Sequence, residues 1–323
     1  MRVAEVARFG GPEVLRIQKA PDPIAGRGEV VIEVVAADVL WVETMIRRGG
    51  GGEYFDVTPP YVPGNGVSGR VRSVGDGVDR EWIGRAVVAH TGERGAYAEQ
   101  VAVPVEKLAA VPDGLGLPEA AALLHDGITA LTLFECNEIG TGDVLLVVGA
   151  SGGLGIMSVQ LGRARAARVV AVGRDERKLT RIRELGADAV IDSEAPDWVE
   201  QARRALGAEG ATVILDNVGG SVGESAFSLV APGGRFSAHG TPSGQFAQID
   251  AGEAERLGVT VRGIQDVQLS DGDIKRLRKE ALAEAGSGRL TPVIGQTFPL
   301  SRAADAHAAI EARTVFGKTL LLT

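Results

Sequence analysis

The sequence predicts an α/β protein with two parts, a small β barrel or sandwich and a doubly wound parallel sheet. Up to about residue 112, short runs rich in Val and Ile follow one another with turn residues between them, which is typical of a small barrel or sandwich. From about residue 118, continuous apolar runs alternate with helical stretches of about ten residues, which indicates a parallel sheet covered on both faces. The length of 323 residues fits this division, since a domain averages about 150 residues.

The first part is expected to contain short strands separated by glycine and proline turns. The turns include residues 10–12 (GGP) and 21–23 (PDP), whose chemistry interrupts extended runs. The strands are predicted over residues 3–6, 14–17, 29–35, 67–74, 86–89, 97–103 and 107–110.

The second part is expected to alternate strands with helices. A helix is predicted over 176–185, because Leu179, Ile182 and Leu185 lie on one face and Gly186 is placed as its C-cap. Other helices are predicted over residues 118–124, 128–134, 156–161, 196–206, 221–229, 273–285 and 303–312. Strands are predicted over 144–148, 168–172, 189–191, 212–215, 235–238 and 319–322, and the last of them is expected to return to the first domain.

Composition and charge argue against several classes of partner. With 34 basic and 42 acidic residues the formal net charge is −8, and no basic block is available to neutralise a run of phosphates, so we expect no nucleic-acid partner. No apolar stretch reaches the roughly 18 residues that a membrane helix needs. The N-terminus is predicted to be a strand rather than a signal peptide, because Glu5 and Arg8 interrupt it. We therefore expect a cytoplasmic protein with no membrane partner.

The most specific motif is the glycine-rich segment at residues 149–155 (GASGGLG). It follows an apolar strand, opens a helix, and precedes a second strand at the spacing of a βαβ unit. A glycine turn there lets the backbone approach a pyrophosphate, and the helix N-terminus offers N–H groups and a positive dipole end to the phosphates. A purely structural glycine turn is the alternative to the dinucleotide site that we predict at Ala150, Ser151, Gly152, Gly153 and Leu154.

The end of the second strand of this unit predicts which dinucleotide is bound. A protein that binds NAD carries an acid there, because a carboxylate accepts a hydrogen bond from the ribose 2′-hydroxyl. This chain instead has Gly173, followed by Arg174 and then Lys178, which can bring positive charge to a 2′-phosphate. Asp175 and Glu176 are interpreted as first-turn acids of the next helix. The pattern favours NADPH, and the alternative is that both cations are simply solvated.

Together with other short motifs, this segment resembles the medium-chain dehydrogenase/reductase superfamily, specifically its zinc-lacking quinone oxidoreductase (zeta-crystallin-like) type. The resemblance spans nearly the whole chain and lies in residues 63–69 (PGNGVSG), 95–99 (GAYAE), 112–114 (PDG), 127–130 (GITA), 149–155, 184–191 (ELGADAVI), 216–220 (DNVGG) and 232–235 (PGGR). It implies a homodimer and a cleft between two domains, a GroES-like β-barrel domain at residues 1–120 and 264–323 and an inserted Rossmann doubly wound parallel-sheet domain at 121–263.

The resemblance also implies roles for individual residues in binding the cofactor. Thr129 would lie at the nicotinamide end, Asn217 and the turn of His239 and Gly240 would line the cofactor groove, and Arg313 would reach a cofactor phosphate. Capping or packing within its helix is the alternative for Thr129. A structural role at the end of an apolar strand is the alternative for His239.

The sequence departs from the zinc-containing members of the superfamily. Gly66 stands where an acid is common, and Cys136, the only cysteine, lies in the other domain. His90 and His125 are isolated from any convincing set of ligands, so we predict no metal site.

The sequence also departs from the quinone reductases to which it is most similar. These often carry an Asn and an Asp three residues apart, where this chain has Leu40 and Glu43, so that Leu40 and Trp41 would make that wall more apolar. A tyrosine is common where this chain has Ser193, which weakens one contact to the cofactor.

Two residues are candidates for catalysis. Tyr54 lies in a glycine-rich loop (49–54, GGGGEY) expected at the mouth of the cleft, where a phenol can hydrogen-bond a carbonyl oxygen; packing at the rim is the alternative. Glu43 is the second candidate, and a positioning role is its alternative.

The predicted activity is metal-independent reduction of a quinone by NADPH, with the protein supplying orientation for hydride transfer. A first alternative is an enoyl or enone reductase of the same fold, which needs protonation at the α carbon and therefore an acid within reach. A second alternative is a non-catalytic protein that binds NADPH.

Overall fold

The structure is a computed structural model that describes residues 1–52, 55–92 and 94–323. The chain divides into two compact units: the first contains Met1–His125, Arg278–Gly286 and Pro292–Thr323, and the second contains Asp126–Leu277 and Ser287–Thr291. The predicted domains differ from these units at residues 121–125, which lie in the first unit, and at residues 264–277 and 287–291, which lie in the second. The division after Leu277 falls within one continuous helix, and a helical pattern carries no mark of such a change.

The strands of both units are numbered in chain order. They are β1 (Arg2–Val6), β2 (Leu15–Lys19), β3 (Glu29–Val39), β4 (Gly66–Val74), β5 (Ala86–His90), β6 (Gln100–Pro104), β7 (Leu108–Ala110), β8 (Val144–Val148), β9 (Arg168–Gly173), β10 (Ala189–Asp192), β11 (Ala211–Asp216), β12 (Val230–Ala238), β13 (Thr260–Gly263), β14 (Ile294–Pro299) and β15 (Lys318–Leu322).

The helices follow the same convention. They are α1 (Trp41–Arg47), α2 (Leu117–Leu124), α3 (Asp126–Cys136), α4 (Gly153–Ala164), α5 (Glu176–Glu184), α6 (Trp198–Leu206), α7 (Gly220–Phe227), α8 (Ala251–Leu257), α9 (Asp271–Gly286) and α10 (Ala303–Glu311). The helices predicted over 118–124, 176–185 and 303–312 are observed with their ends shifted by at most one residue. Helices α1 and α8 were not predicted.

The first unit is built from both ends of the chain, as predicted. Its C-terminal strand β15 pairs antiparallel with β3, with Thr319 opposite Val39 and Leu322 opposite Ala36. The sheet has the order β14-β15-β3-β4-β5-β7, β6 also pairs with β3, and β1 pairs with β2. Alternate residues of these strands enter one apolar core, which includes Val30, Ile32 and Val34 of β3.

The second unit is a doubly wound parallel sheet with the order β10-β9-β8-β11-β12-β13. Every neighbouring pair in it is parallel. Counted along the chain from β8, this is the order 3-2-1-4-5-6 of the Rossmann fold, and it confirms the predicted parallel sheet. The order reverses between β8 and β11, and ligands of such sheets bind beyond the carboxyl ends of the strands at that point.

Helix α4 is held directly over β8 and β9. Leu145, Leu146, Val147 and Val148 of β8 are fully buried because both faces of the strand are covered. A Cβ at Gly162 of α4 would lie 2.7 Å from Cγ2 of Val169 and 2.9 Å from Cδ2 of Leu145, so glycine permits the close approach. This packing fixes the N-terminus of α4 at the carboxyl edge of the sheet.

Within residues 1–52, 55–92 and 94–323, no helix combines the length and the apolar character that crossing a bilayer requires.

Candidate functional site

The glycine-rich segment forms the turn between β8 and α4. The backbone N–H groups of Gly149 and Ala150 both donate to the carbonyl of Val172 at 3.0 Å, which ties the turn to the end of β9. Gly149 has φ +75°, and a Cβ there would lie 2.8 Å from Cγ2 of Val218. Both the backbone conformation and the space therefore require glycine at this position.

The N-terminus of α4 presents N–H groups without a side-chain cap. Gly152 is the N-cap residue, and its side-chain position faces open space except for the carbonyl oxygen of Gly149 at 3.8 Å. A Cβ at Gly155 would instead lie 2.4 Å from that same oxygen, so this glycine brings the helix against the turn. An uncapped helix N-terminus beside an open glycine fits the pyrophosphate of a dinucleotide.

The other residues predicted for this segment lie as follows. The side chain of Ala150 is fully buried, so only its backbone can face a ligand. Ser151, Gly153 and Leu154 are half-buried and Gly152 is exposed. The structure thus brings the predicted segment together at the point where the strand order reverses.

The ends of β9 and β10 form the neighbouring edge of this site. Gly173 lies opposite Asp192, and both the backbone N–H and the hydroxyl of Ser193 donate to the carbonyl of Gly173, at 2.8 and 3.0 Å. A Cβ at Gly173 would lie 3.2 Å from Cδ1 of Ile182, so a larger residue here would crowd α5. Ser193, where relatives were expected to carry tyrosine, therefore fastens β10 to β9.

Two cations, Arg174 and Lys178, follow Gly173. The side chain of Arg174 is 41% exposed, and its Nη1 lies 3.7 Å from Oε1 of Glu194. Burial lowers the pKa of Lys178, the positive charge of Arg174 lowers it further, and Asp175 opposes this. The two cations therefore lie close enough to interact with each other at this edge.

Asp175 is engaged by the backbone of the following helix. Its Oδ1 accepts hydrogen bonds from the N–H groups of Arg177 at 2.9 Å and Lys178 at 3.3 Å, which makes it the N-cap of α5. The sequence analysis interpreted Asp175 as an acid in the first turn of α5, whereas the structure has it one residue earlier, at the N-cap. Oδ1 of Asp175 is therefore held by the backbone at the start of α5, as is usual for an N-cap aspartate.

The end of β11 is held by Asp216, a residue to which the sequence analysis gave no role. Its side chain is fully buried, and Oδ1 accepts from the N–H groups of Val218 and Gly219, both at 2.9 Å. Burial raises the pKa of this carboxyl, and the two backbone hydrogen bonds oppose the rise. An aspartate followed by Asn-Val-Gly-Gly after an apolar strand was the available signal for this turn.

Asn217 and His239 form a hydrogen-bonded chain across the carboxyl edge. Nδ2 of Asn217 donates to the carbonyl of Val148 at 2.8 Å, and Oδ1 lies 2.9 Å from Nε2 of His239. The other ring nitrogen, Nδ1, lies 3.1 Å from the hydroxyl of Ser237. Since Oδ1 can only accept, Nε2 carries the proton and Nδ1 accepts from Ser237.

The same chain fixes the charge of His239. Burial lowers the pKa of the imidazole to about 4, so the ring is neutral at physiological pH. A Cβ at Gly240 would lie 2.0 Å from the carbonyl carbon of Asn217, which shows how closely this turn packs on β11. Burial and hydrogen bonds at both ring nitrogens are the features expected if His239 has a structural role at the end of its strand.

Two other predicted cofactor residues belong to separate parts of the chain. Thr129 lies in α3 of the second unit and is half-buried. Arg313 belongs to the first unit, where it follows α10 with φ +56° and is exposed. Their roles toward a cofactor stay predictions.

Glu43, one of the two candidate catalytic residues, lies in a buried polar cluster of the first unit. Its Oε2 accepts from the backbone N–H of Leu40 at 3.2 Å and from the hydroxyl of Tyr97. The Tyr97 hydroxyl also lies 3.0 Å from Nε2 of His307, whose ring meets the Tyr97 ring edge-on. Three residues distant in sequence are thus joined in one chain of hydrogen bonds.

The surroundings of this cluster change its pKa values. Burial raises the pKa of Glu43 to about 7, and the hydrogen bond from Tyr97 opposes the rise. Burial, together with the positive charge of Arg47, lowers the pKa of His307 to about 3. Burial thus favours the neutral form of the His307 imidazole and the protonated form of the Glu43 carboxyl.

Two ion pairs lie beside the cluster. Nζ of Lys318 lies 2.7 Å from Oδ1 of Asp38, and both side chains are buried. Arg47, which is fully buried, pairs with Glu311 on α10. Pairing is what permits these charges to lie in the interior of the unit.

Tyr54, the other candidate catalytic residue, lies outside the described residues. Leu40 is buried and Trp41 half-buried at the start of α1. Within the part of the chain that the structure describes, no three His, Cys, Asp or Glu side chains are grouped so that they could hold a metal ion.

Residues 26–113 match the alcohol dehydrogenase GroES-like domain, and residues 185–321 match the zinc-binding dehydrogenase model. Among curated proteins, the chain is 30% identical to a quinone oxidoreductase of Mus musculus, covering 100% of this chain and 98% of the relative. It is 28% identical to a 2-haloacrylate reductase of a Burkholderia species, covering 99% and 98%.

Solved structures with the same fold cover the chain fully. A quinone oxidoreductase of Escherichia coli complexed with NADPH has a TM-score of 0.91 and 26% identity, with 100% of both chains covered. An NAD-dependent alcohol dehydrogenase also has a TM-score of 0.91, with 30% identity and 100% of both chains covered.

Proposed function

The chain belongs to the quinone oxidoreductase family of the medium-chain dehydrogenase/reductase superfamily, and on that premise we propose that this oxidoreductase reduces a quinone with NADPH. The observation that carries the proposal is the open N-terminus of α4 beside Arg174 and Lys178. One end of this site suits a pyrophosphate and the other suits a 2′-phosphate, which are the two anionic groups of NADPH.

The residues of the second unit bind and orient the cofactor in this proposal. The N–H groups at the start of α4 hold the pyrophosphate, and the open side of Gly152 lets it approach the backbone. Arg174 and Lys178 hold the 2′-phosphate. Asn217 and His239 position the ends of β8, β11 and β12, so that the edge keeps its shape when the ligand binds.

The reaction needs a hydride and a proton. NADPH supplies the hydride when bound, and a quinone becomes a hydroquinone by taking up that hydride and one proton. Because burial raises the pKa of Glu43 to about 7, its carboxyl can hold a proton near neutral pH, and Glu43 is one proposed reservoir. Tyr54 stays a proposed donor, and no metal is needed because the acceptor oxygen can be protonated directly.

A second candidate function is the reduction of an activated C=C bond. The similarity to a 2-haloacrylate reductase favours it, since the acceptor named there is a conjugated acid. A buried acid that is partly protonated at neutral pH also suits protonation of the α carbon. The non-catalytic alternative has no such observation in its favour.

Steady-state assays separate these functions. Oxidation of NADPH is followed with 9,10-phenanthrenequinone, with simple enones, with 2-haloacrylates and with trans-2-enoyl thioesters. The proposal expects the highest kcat/KM with the quinone. Turnover of only the conjugated acids, enones or thioesters would replace it by the second function, and binding of NADPH without turnover of any acceptor would leave the non-catalytic alternative. Light scattering tests the homodimer that we also propose.

A further inference from the structure

The acid Glu194 lies at a fixed place beside the proposed 2′-phosphate site. Strand β10 ends in register with β9, with Asp192 opposite Gly173. Ser193 then donates twice to the carbonyl of Gly173, and Oδ1 of Asp192 accepts from the N–H of Glu194 at 2.9 Å. The backbone that carries Glu194 is therefore fastened to the end of β9, one residue before Arg174.

The side chain of Glu194 reaches the cation that would hold the phosphate. Its Oε1 lies 3.7 Å from Nη1 of Arg174, and the two side chains are 64% and 41% exposed. Both groups are thus accessible to a ligand. A pair this exposed is weak in water, so an anion of higher charge can displace the carboxylate from Arg174.

The effect of this carboxylate depends on the dinucleotide. A 2′-phosphate carries about two negative charges, so Glu194 repels it and competes with it for Arg174. A free ribose 2′-hydroxyl can donate to a carboxylate, as it does to the acid at the end of the second strand in NAD-binding proteins. Asp175 caps α5 through Oδ1, and Glu194 is the acid whose carboxylate lies within ion-pair distance of Arg174 in the described residues.

We propose that Glu194 is a specificity-determining residue that sets the ratio of NADPH affinity to NADH affinity, by pairing with Arg174 and opposing the 2′-phosphate. The proposal rests on the proposed function, because it assumes that a dinucleotide binds along the carboxyl edge of β8 and β9. Under this proposal, the carboxylate of Glu194 makes the preference of this chain for NADPH over NADH smaller than it would be without that charge.

The variant Glu194→Gln tests the proposal in the full-length protein, because it removes the charge and keeps the shape. We expect the Kd for NADPH, measured by calorimetry, to fall about three- to tenfold at low salt, and the Kd for NADH to stay equal or rise. This increase in NADPH affinity should become smaller in about 0.5 M salt, where exposed charges are screened. It should also shrink in the Arg174→Ala background, because the competition for Arg174 is then absent.

A matched control is Glu200→Gln, which removes the same charge from α6, where Glu200 lies near Arg203 and Arg204. An unchanged NADPH affinity in Glu200→Gln supports a local effect of Glu194, whereas an equal gain in both variants overturns the proposal. If the wild-type protein binds NADPH and Glu194→Gln binds it no tighter, the proposal is wrong and the proposed function stands. If neither nucleotide binds the wild-type protein, the proposed function itself fails, and this proposal with it.

Discussion

The side-chain oxygen of Asn217 lies 2.9 Å from Nε2 of His239, so the end of β11 is joined to the segment that follows β12. Through its amide nitrogen, Asn217 also binds the carbonyl of Val148, the last residue before the glycine turn. One side chain therefore links three strand ends at the edge where the nucleotide is proposed to bind. His239 acts on that edge as a positioning residue, through Asn217.

Replacing His239 by Ala should weaken the binding of both nucleotides by a similar factor. The change leaves Oδ1 of Asn217 without its donor, and we expect the free energy of unfolding to fall by about 1–3 kcal/mol. Calorimetric Kd values for NADPH and NADH and a urea melt test this. Ser237→Ala is the matched control, because it removes only the hydrogen bond to Nδ1 and should cost about 0.5–1.5 kcal/mol. Unchanged melts and Kd values in His239→Ala would contradict the positioning role.

The two glycines of the turn should respond differently to alanine. Gly152 has φ −80° and open space around its side-chain position, so Gly152→Ala should fold with an unchanged melting temperature. Its new methyl group would stand where the pyrophosphate approaches, and we expect the Kd for NADPH to rise about tenfold or more. Gly155→Ala should instead lose stability, by about 1–3 kcal/mol, because its Cβ would meet the Gly149 carbonyl. Equal NADPH affinity in Gly152→Ala and wild type would place the pyrophosphate elsewhere.

Arg174→Ala should discriminate between the two cofactors. A charge-assisted contact to phosphate contributes about 1.5–3 kcal/mol, so the KM for NADPH should rise about ten- to hundredfold while the KM for NADH changes little. Steady-state kinetics with both cofactors measure the two constants. Arg204→Ala, which removes an exposed cation from α6, is the control and should alter neither. A similar change in both KM values for Arg174→Ala would remove its role toward the 2′-phosphate.

The buried carboxyl of Glu43 should make the protein less stable as pH rises. Its pKa is raised from 4.5 to about 7 in the folded state, so the stabilising protonated form is fully present below pH 4.5 and is lost as pH passes about 7. That gap corresponds to on the order of 3 kcal/mol. Glu43→Gln, which cannot ionise, should therefore be more stable than wild type at pH 8 by up to that amount, and similar to it near pH 4.5.

Chemical denaturation of both proteins between those pH values provides the measurement. Glu99→Gln is a control of opposite sign, because hydrogen bonds from Arg2 lower the pKa of Glu99 and its charge is favourable in the folded state. A Glu43→Gln variant whose stability tracks that of the wild-type protein across the whole pH range would show that Glu43 ionises normally.

The parallel sheet and the nucleotide turn could be predicted because their signals are local. A buried strand, a glycine turn and a helix occupy adjacent positions at 144–164, and Gly186, predicted as the C-cap of α5, has φ +113°. Helix α8 was missed although its signals are also local. Asp250 caps it by accepting from the N–H of Glu253, and Gly258 ends it in the left-handed conformation.

The polar cluster in the first unit could not be predicted from spacing. Tyr97 lies 54 residues from Glu43 and 210 from His307, and only tertiary packing brings the three together. Helix α1, which supplies Glu43, has no side-chain cap from its N-cap residue Leu40. Instead Glu43 reaches back to the Leu40 N–H, a contact that depends on the buried site around it.

Isothermal titration of the full-length protein with NADPH and with NADH tests the central claim most directly. The titration is done at two temperatures, because burial of the ligand changes the heat capacity and the heat cannot vanish at both. We expect saturable binding of NADPH at one site per chain, with a lower Kd than for NADH. Folded protein that gives no binding heat with either nucleotide at both temperatures would rule out the proposed nucleotide site.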